Sequence, residues 1–477
     1  MRQVDDLGAM YLAAENARVS THTAALITID PAALPGGRLT IDRLRDVVRE
    51  RLPLIPAFQW RVVRVPLGLD RPYWVEADSD LDYHVQEIAL PSPGDDDLLR
   101  EQVARIFSRP LDRSRPLWEM YLIQGLAGGR AAVLTKVHHA AADGRAGAQM
   151  VATLTDTEPH PPPAAGLTAP PVPPPPSSVS MLARGLAGFV RQPWRAVSGV
   201  PAMLSGLDEL PVFGTMPGAR LVGASLALVR RERRHTPVAR APRTSFNRRI
   251  SRHRRIGIAT LALDDVKFVK NRFTVSVNDV VMALAAGALR RWLLERDELP
   301  AQPLTAVVPV SLRGDRSVAF GNALSAVVVP IPTGVDDPVA RLNGAHAAML
   351  AALRDLGTTA PDALVDTVRL VPPVLFVQTA QLLTRLNAWP VLPPAMNVNI
   401  SNVPGPQQTL YLAGAKVESV VPLAGITDGL GLNITVLSYC GRLHVGVVAD
   451  RDQVPDVQRI ADWTAEELAL LVKAADR

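Results

Sequence analysis

Cysteine occurs once in the 477 residues, at Cys440. That excludes a disulfide framework, a cysteine-based zinc site and a Cys-x-x-Cys redox motif, and makes a reducing cytoplasm the expected setting. Long apolar runs are missing too: no window offers the ~20 consecutive apolar residues of a spanning helix. The start, Met1 to Asp6, carries no apolar signal segment after Arg2. Any contact with a membrane or lipid droplet is therefore expected from one side, peripherally, on the inner face of the membrane or on lipid bodies. A Gly-x-Ser-x-Gly elbow, a Gly-x-Gly-x-x-Gly loop and a Walker loop are also lacking. Cys440 sits beside Gly441 in an expected hairpin turn, a poor place for a nucleophile.

What is present suits a globular enzyme, with 48% hydrophobic and 20% charged residues. The length implies two domains. Prolines crowd between Pro159 and Pro176, and such sequence is too extended and stiff to join a core. Three segments follow: 1–157 as an N-terminal domain, 158–241 as a Pro- and Arg-rich linker, and 242–477 as a C-terminal domain. Within the linker, Met181 to Val200 has the pattern of a basic amphipathic helix, suited to a bilayer interface or to packing on the protein itself. The net charge is +5, and Arg230 to Arg255 holds eleven arginines against one acid, Glu232. Such a run attracts phosphates or an anionic surface, or is a solvated connection. Only Phe246 interrupts it as an aromatic, so a nucleic-acid partner is not expected.

Helices and strands mix in both halves. Thr40 is a candidate N-cap for a helix through Ile41, Leu44, Val47, Val48 and Leu52. Trp118 to Gly125 and Ala131 to His139 read as a hairpin turning at Gly128-Gly129, and Gly144 to Thr153 as a short helix. Helices are expected over Ser276 to Leu294, Asp337 to Leu356 and Val457 to Ala475. Strands are expected over 304–312, 323–331, 397–403, 417–423, 432–437 and 443–449.

The chemistry concentrates in His138-His139-Ala140-Ala141-Ala142-Asp143-Gly144. Alternation along a strand puts His139 on one face with Val133, Thr135 and Val137, and His138 on the other with Leu134 and Lys136. The two rings cannot converge on one reactant or one metal, so one acts and the other supports. A neutral imidazole suits the removal of a proton from an attacking hydroxyl. Asp143 lies where it can orient that imidazole or pair with an arginine, and Gly144 permits an unusual turn. A metal site is not expected, since further ligands at suitable spacing are lacking.

These residues resemble the HHxxxDG signature of the superfamily of chloramphenicol acetyltransferase, carnitine acyltransferases and peptide-synthetase condensation domains. Pro116-Leu117-Trp118, Asn278-Asp279-Val280-Val281, Val308 to Arg313, Asn399 to Pro406, Asn433-Ile434-Thr435 and Ser438-Tyr439 narrow the resemblance to the bacterial wax ester synthase/diacylglycerol acyltransferase family. The motifs run in family order over nearly the whole chain. One departure is Gly8, where an aspartate is common. The resemblance implies an α/β fold of two chloramphenicol acetyltransferase-like domains with a tunnel between them. It implies transfer of a long-chain acyl group from acyl-CoA to diacylglycerol or a long-chain alcohol, with no cofactor beyond acyl-CoA as co-substrate. A related enzyme drawing its acyl group from a carrier protein is the alternative.

By the same resemblance His139 is the general base and Asp143 an anchor paired with Arg313. Asn278 supports the active-site wall or caps the following helix, beside Asp279. Ser401, Asn402 and Asn433 are candidate donors to the oxyanion, and Pro116 to Trp118 are read as packing.

Overall fold

In the computed structural model, the described residues are 2–66, 70–141, 150–161, 177, 180–181, 241–311, 324–358, 394 and 396–477. Three sheets organise them. The smallest joins β1 (Arg2–Gln3), β3 (Trp60–Val63) and β4 (Tyr73–Glu76). The first large sheet draws on β2 (His22–Asp30), β5 (Val85–Ala89), β6 (Trp118–Gln124) and β7 (Ala131–His138). The second contains β8 (Arg254–Ala262), β9 (Leu304–Ser311), β10 (Leu324–Ile331), β11 (Val398–Val403), β14 (Leu432–Tyr439) and β15 (Arg442–Asp450), in the order β10-β9-β11-β14-β15-β8. The remaining strands, β12 (Tyr411–Leu412) and β13 (Ala415–Ala424), come from the C-terminal half yet complete the first large sheet, ordered β12-β13-β2-β7-β6-β5. Strand β13 pairs antiparallel with β2, Val421 opposite Leu26. The sequence marks a strand there but not its partner, which lies almost the whole chain away.

Helices cover the sheets. They are α1 (Asp6–Ala14), α2 (Ile41–Arg51), α3 (Leu81–His84), α4 (Asp96–Phe107), α5 (Leu263–Arg272), α6 (Val277–Leu294), α7 (Pro338–Thr358) and α8 (Val457–Ala475). Thr40 caps α2 by accepting from Arg43 N at 3.3 Å, as its position predicts. Leu44 and Val48 of α2 pack on one face of the first sheet with Val133 and Val137. On the opposite face, Val103, Ile106 and Phe107 of α4 pack with Leu134 and with Ile256 and Val448 of the second sheet. The two large sheets therefore share a core.

The second sheet's other face meets α6, which is buried almost all round, with α7 and α8 alongside. Among the described residues no single helix is long and apolar enough to cross a membrane. The hairpin β6–β7 forms as expected, with Gly128 and Gly129 at φ 75° and 72°. Cys440 and Gly441 make the β14–β15 turn, and the free thiol donates to Thr409 Oγ1 at 4.0 Å. The expected helix from Gly144 lies largely outside the described residues, and the amphipathic stretch Met181 to Val200 does so beyond Met181.

Candidate active site

Strand β7, between β2 and β6, ends at His138, and His139 opens the turn that follows rather than closing the strand as expected. Val133 and Val137 enter the α2 core while Leu134 enters the α4 core, so the alternation holds to the end of the strand. Lys136 and His138 lie on the α4 side and are wholly buried. Burial pushes the Lys136 ammonium below its usual value, against the pull of Glu119 at 3.0 Å. Lys136 also donates to the Ile106 carbonyl at 3.3 Å, and His22 Nε2 donates to that of Phe107 at 2.7 Å. Two carbonyls at the C-terminal end of α4 are thereby satisfied.

Both ring nitrogens of His138 are occupied by protein. Nδ1 accepts from Ala140 N at 2.9 Å. Thr21 Oγ1 spends its hydrogen on the Tyr11 carbonyl, so it accepts from His138 Nε2 at 3.1 Å. Glu15 Oε1 lies 3.3 Å from the same nitrogen. This network assigns His138 the tautomer protonated at Nε2. His138 is a supporting residue with no ring atom left for substrate.

His139 follows with a different environment. Its backbone N–H donates to the Thr21 carbonyl at 3.0 Å. Its half-buried ring stacks on Tyr11, centroids 4.9 Å apart at 20°. Tyr11 belongs to α1, which packs Ala9 and Leu12 against Ala140. Gly8 lies at the tight start of that helix, where a Cβ would come within 2.9 Å of Asp5 Oδ1 and Val4 Cγ1.

The residues that complete this arrangement are Tyr11, Glu15, Thr21 and Arg113, none of them evident in the sequence. Glu15 is the only charged residue between Asp6 and Arg18, just ahead of β2, and that isolation was its one signal. Burial opposes its ionisation, but the His138 N–H and the Arg113 guanidinium outweigh that and hold the carboxyl well below the usual carboxylate range.

Asp143, Gly144 and Arg313 lie outside the described residues. Asn278 is not the N-cap of α6: Ser276 holds that place, accepting from Asp279 N at 3.2 Å. Both are capping residue types, but only Ser276 has an acid three positions on, which completes a capping box. Asp279 returns the bond to Ser276 N at 2.8 Å and meets His346 Nδ1 at 2.9 Å, so it ties α6 to α7. The oxyanion candidates divide between two faces. Asn433 and Ser401 lie on the face turned toward the first sheet, as neighbours through the β11–β14 pairing of Asn399 with Asn433 and Ser401 with Thr435. Asn402 lies on the α6 face. Asn433 is buried, its Oδ1 accepts from Thr435 at 2.7 Å, and its Nδ2 has no partner. Trp118 is packing, stacked between Phe58 and His84 at 4.0 and 4.4 Å. Among the described residues no group of three or more His, Cys, Asp or Glu is placed to hold a metal ion.

Two mixed sheets joined through β13 thus make the fold, and the end of β7 carries an enclosed histidine followed in the turn by a half-buried one. The first condensation domain of the calcium-dependent antibiotic synthetase shares that fold, at TM-score 0.55 and 14% identity over 100% of this chain and 97% of that one. The wax ester synthase/diacylglycerol acyltransferase of Marinobacter aquaeolei VT8 is more similar, at TM-score 0.70 and 28% identity with both chains fully covered. A Mycobacterium tuberculosis protein provisionally named as a diacylglycerol O-acyltransferase is 34% identical over 100% of this chain and 91% of its own. Residues 4–281 match the wax ester synthase/diacylglycerol acyltransferase catalytic domain, and residues 320–472 match the C-terminal domain of the same family. The chain belongs to the wax ester synthase/diacylglycerol acyltransferase family and is an acyltransferase.

Proposed function

We propose that this enzyme transfers a long-chain acyl group from acyl-CoA to the hydroxyl of diacylglycerol or of a long-chain alcohol, with His139 as general base. The observation that carries the assignment is the contrast within the pair: His138 is wholly buried with both nitrogens bonded to protein, whereas His139, in the turn after β7, is half-buried. In the reaction the unprotonated nitrogen of His139 takes the hydroxyl proton as the oxygen attacks the thioester carbonyl. The tetrahedral oxyanion collapses, the carbon–sulfur bond breaks, and the proton passes from imidazolium to the departing thiolate. The products are an ester and free CoA. The unpartnered Nδ2 of buried Asn433 is the best-supported donor to the oxyanion. The opposite facing of Asn402 makes it a poor candidate for the same task.

The lipid acceptor is expected to be met at an anionic surface, with the protein peripheral and cytoplasmic. Exposed Arg248, Arg249, Arg252 and Arg255 support that reading, a cluster of four surface cations within eight residues. Purified protein given labelled long-chain acyl-CoA should form triacylglycerol or wax ester only when diacylglycerol or a long-chain alcohol is added. A requirement for an acyl-loaded carrier protein would contradict the donor assignment, and hydrolysis without ester would contradict the reaction.

A further inference from the structure

We propose that Glu15 is a positioning residue for acyl transfer, holding the His139 ring in its working place through His138 and Thr21; this rests on His139 being the base. Three chain segments meet at this one carboxylate. Its Oε1 accepts from Thr21 N at 3.0 Å and faces His138 Nε2 at 3.3 Å. Its Oε2 accepts from Arg113 Nη2 at 2.6 Å and Nε at 3.1 Å, and Arg113 also donates to the Leu12 carbonyl of α1. The carboxylate is 7% exposed, so these four donors are its surroundings.

Each bond leads to the working histidine by a short path. Thr21, held by Glu15, supplies the carbonyl that binds His139 N at 3.0 Å. Thr21 Oγ1 donates to the carbonyl of Tyr11 at 3.0 Å, and the Tyr11 ring stacks on that of His139. His138, oriented through Nε2, fixes the turn after the pair through Ala140 N. Backbone on one side and ring on the other are therefore set from one anion. Charge matters as well as shape. A neutral amide in its place would turn one N–H toward donors and remove the anion that Arg113 holds at 2.6 Å.

The test is Glu15→Gln, with turnover normalised to folded enzyme and melting temperature measured in parallel. Misplacing a general base lowers turnover without touching substrate binding, so kcat should fall roughly 10- to 100-fold while KM for acyl-CoA stays within about twofold. A purely architectural residue would lower the melting temperature and leave kcat of the folded fraction unchanged, and that result overturns the proposal. If Glu15→Gln does not fold, Thr21→Val carries the question: reduced kcat at unchanged KM supports the network, and wild-type kcat overturns it. His139→Ala run alongside separates the two claims. Activity surviving there refutes the base itself, whereas loss there with an unaffected Glu15→Gln refutes only the positioning role.

Discussion

Two imidazoles of equal intrinsic chemistry stand next to each other in this chain, one closing a strand and the other opening the turn after it. The alternation from Ala131 was legible and places His138 with Leu134 and Lys136, because a period of two needs no knowledge of the partner strands. The strand expected to run to His139 ends at His138, however, and leaves His139 in the turn. What surrounds each ring was not legible, since Glu15 and Thr21 reach His138 from far along the chain and Arg113 in turn holds Glu15. Other buried histidines also bear on behaviour. His444 is enclosed in the second sheet, its Nδ1 3.2 Å from Thr260 Oγ1, and burial, aided by Arg442, lowers its pKa to about 4. The neutral form is preferred when folded, so its stabilisation is fully present above the unfolded value near 6.5 and is lost as pH falls toward 4. That window corresponds to roughly 3 kcal/mol. Urea unfolding at pH 7 and pH 5 should show the loss, and His444→Leu should shrink it; an unchanged pH dependence in the variant would count against the assignment.

Helix α6 shows why elements with ordinary sequences are placed as they are. The Ser276–Asp279 capping box starts it, and burial all round explains why its apolar residues show little one-sided pattern. Its closest neighbour is α8, which brings Glu467 over Gly287, where a Cβ would strike the carboxylate. Glu467 cannot retreat, because Arg291 at 2.9 Å and the buried Arg341 both hold it. Gly287→Ala, which would stabilise most helices, should therefore destabilise this one by about 1–3 kcal/mol in chemical denaturation. Equal or greater stability would show that α8 moves aside freely. The elements themselves were largely readable from period and capping, α8 to the residue. Strand β13 shows the limit: its apolar pattern marks a strand, and nothing local marks the sheet it joins.

At the scale of the molecule, the two large sheets act as one body because β13 leaves the C-terminal half to pair with β2. Their contact is tight at Gly446 of β15, where a Cβ would overlap the Pro422 carbonyl of β13. Tyr439 fastens the same hairpin, accepting from Leu410 N at 2.9 Å and donating to the Val417 carbonyl at 3.1 Å. Gly446→Ala should force the sheets apart and cost about 1–3 kcal/mol in urea unfolding, with an unchanged midpoint as the contrary result. The proposed reaction would depend on that joint, since His138 ends a strand of the first sheet and Asn433 lies on the face of the second that is turned toward it. The central claim, that one histidine of the pair performs the proton transfer and the other only supports it, is open to a direct measurement. Acceptor-dependent release of CoA thiol is followed for His139→Ala and for His138→Asn, each normalised to folded protein. His139→Ala should lose activity by about 10²-fold or more at unchanged melting temperature, while His138→Asn should lose melting temperature and retain measurable turnover. Activity surviving in His139→Ala but abolished in a folded His138→Asn would reverse the roles and contradict the account.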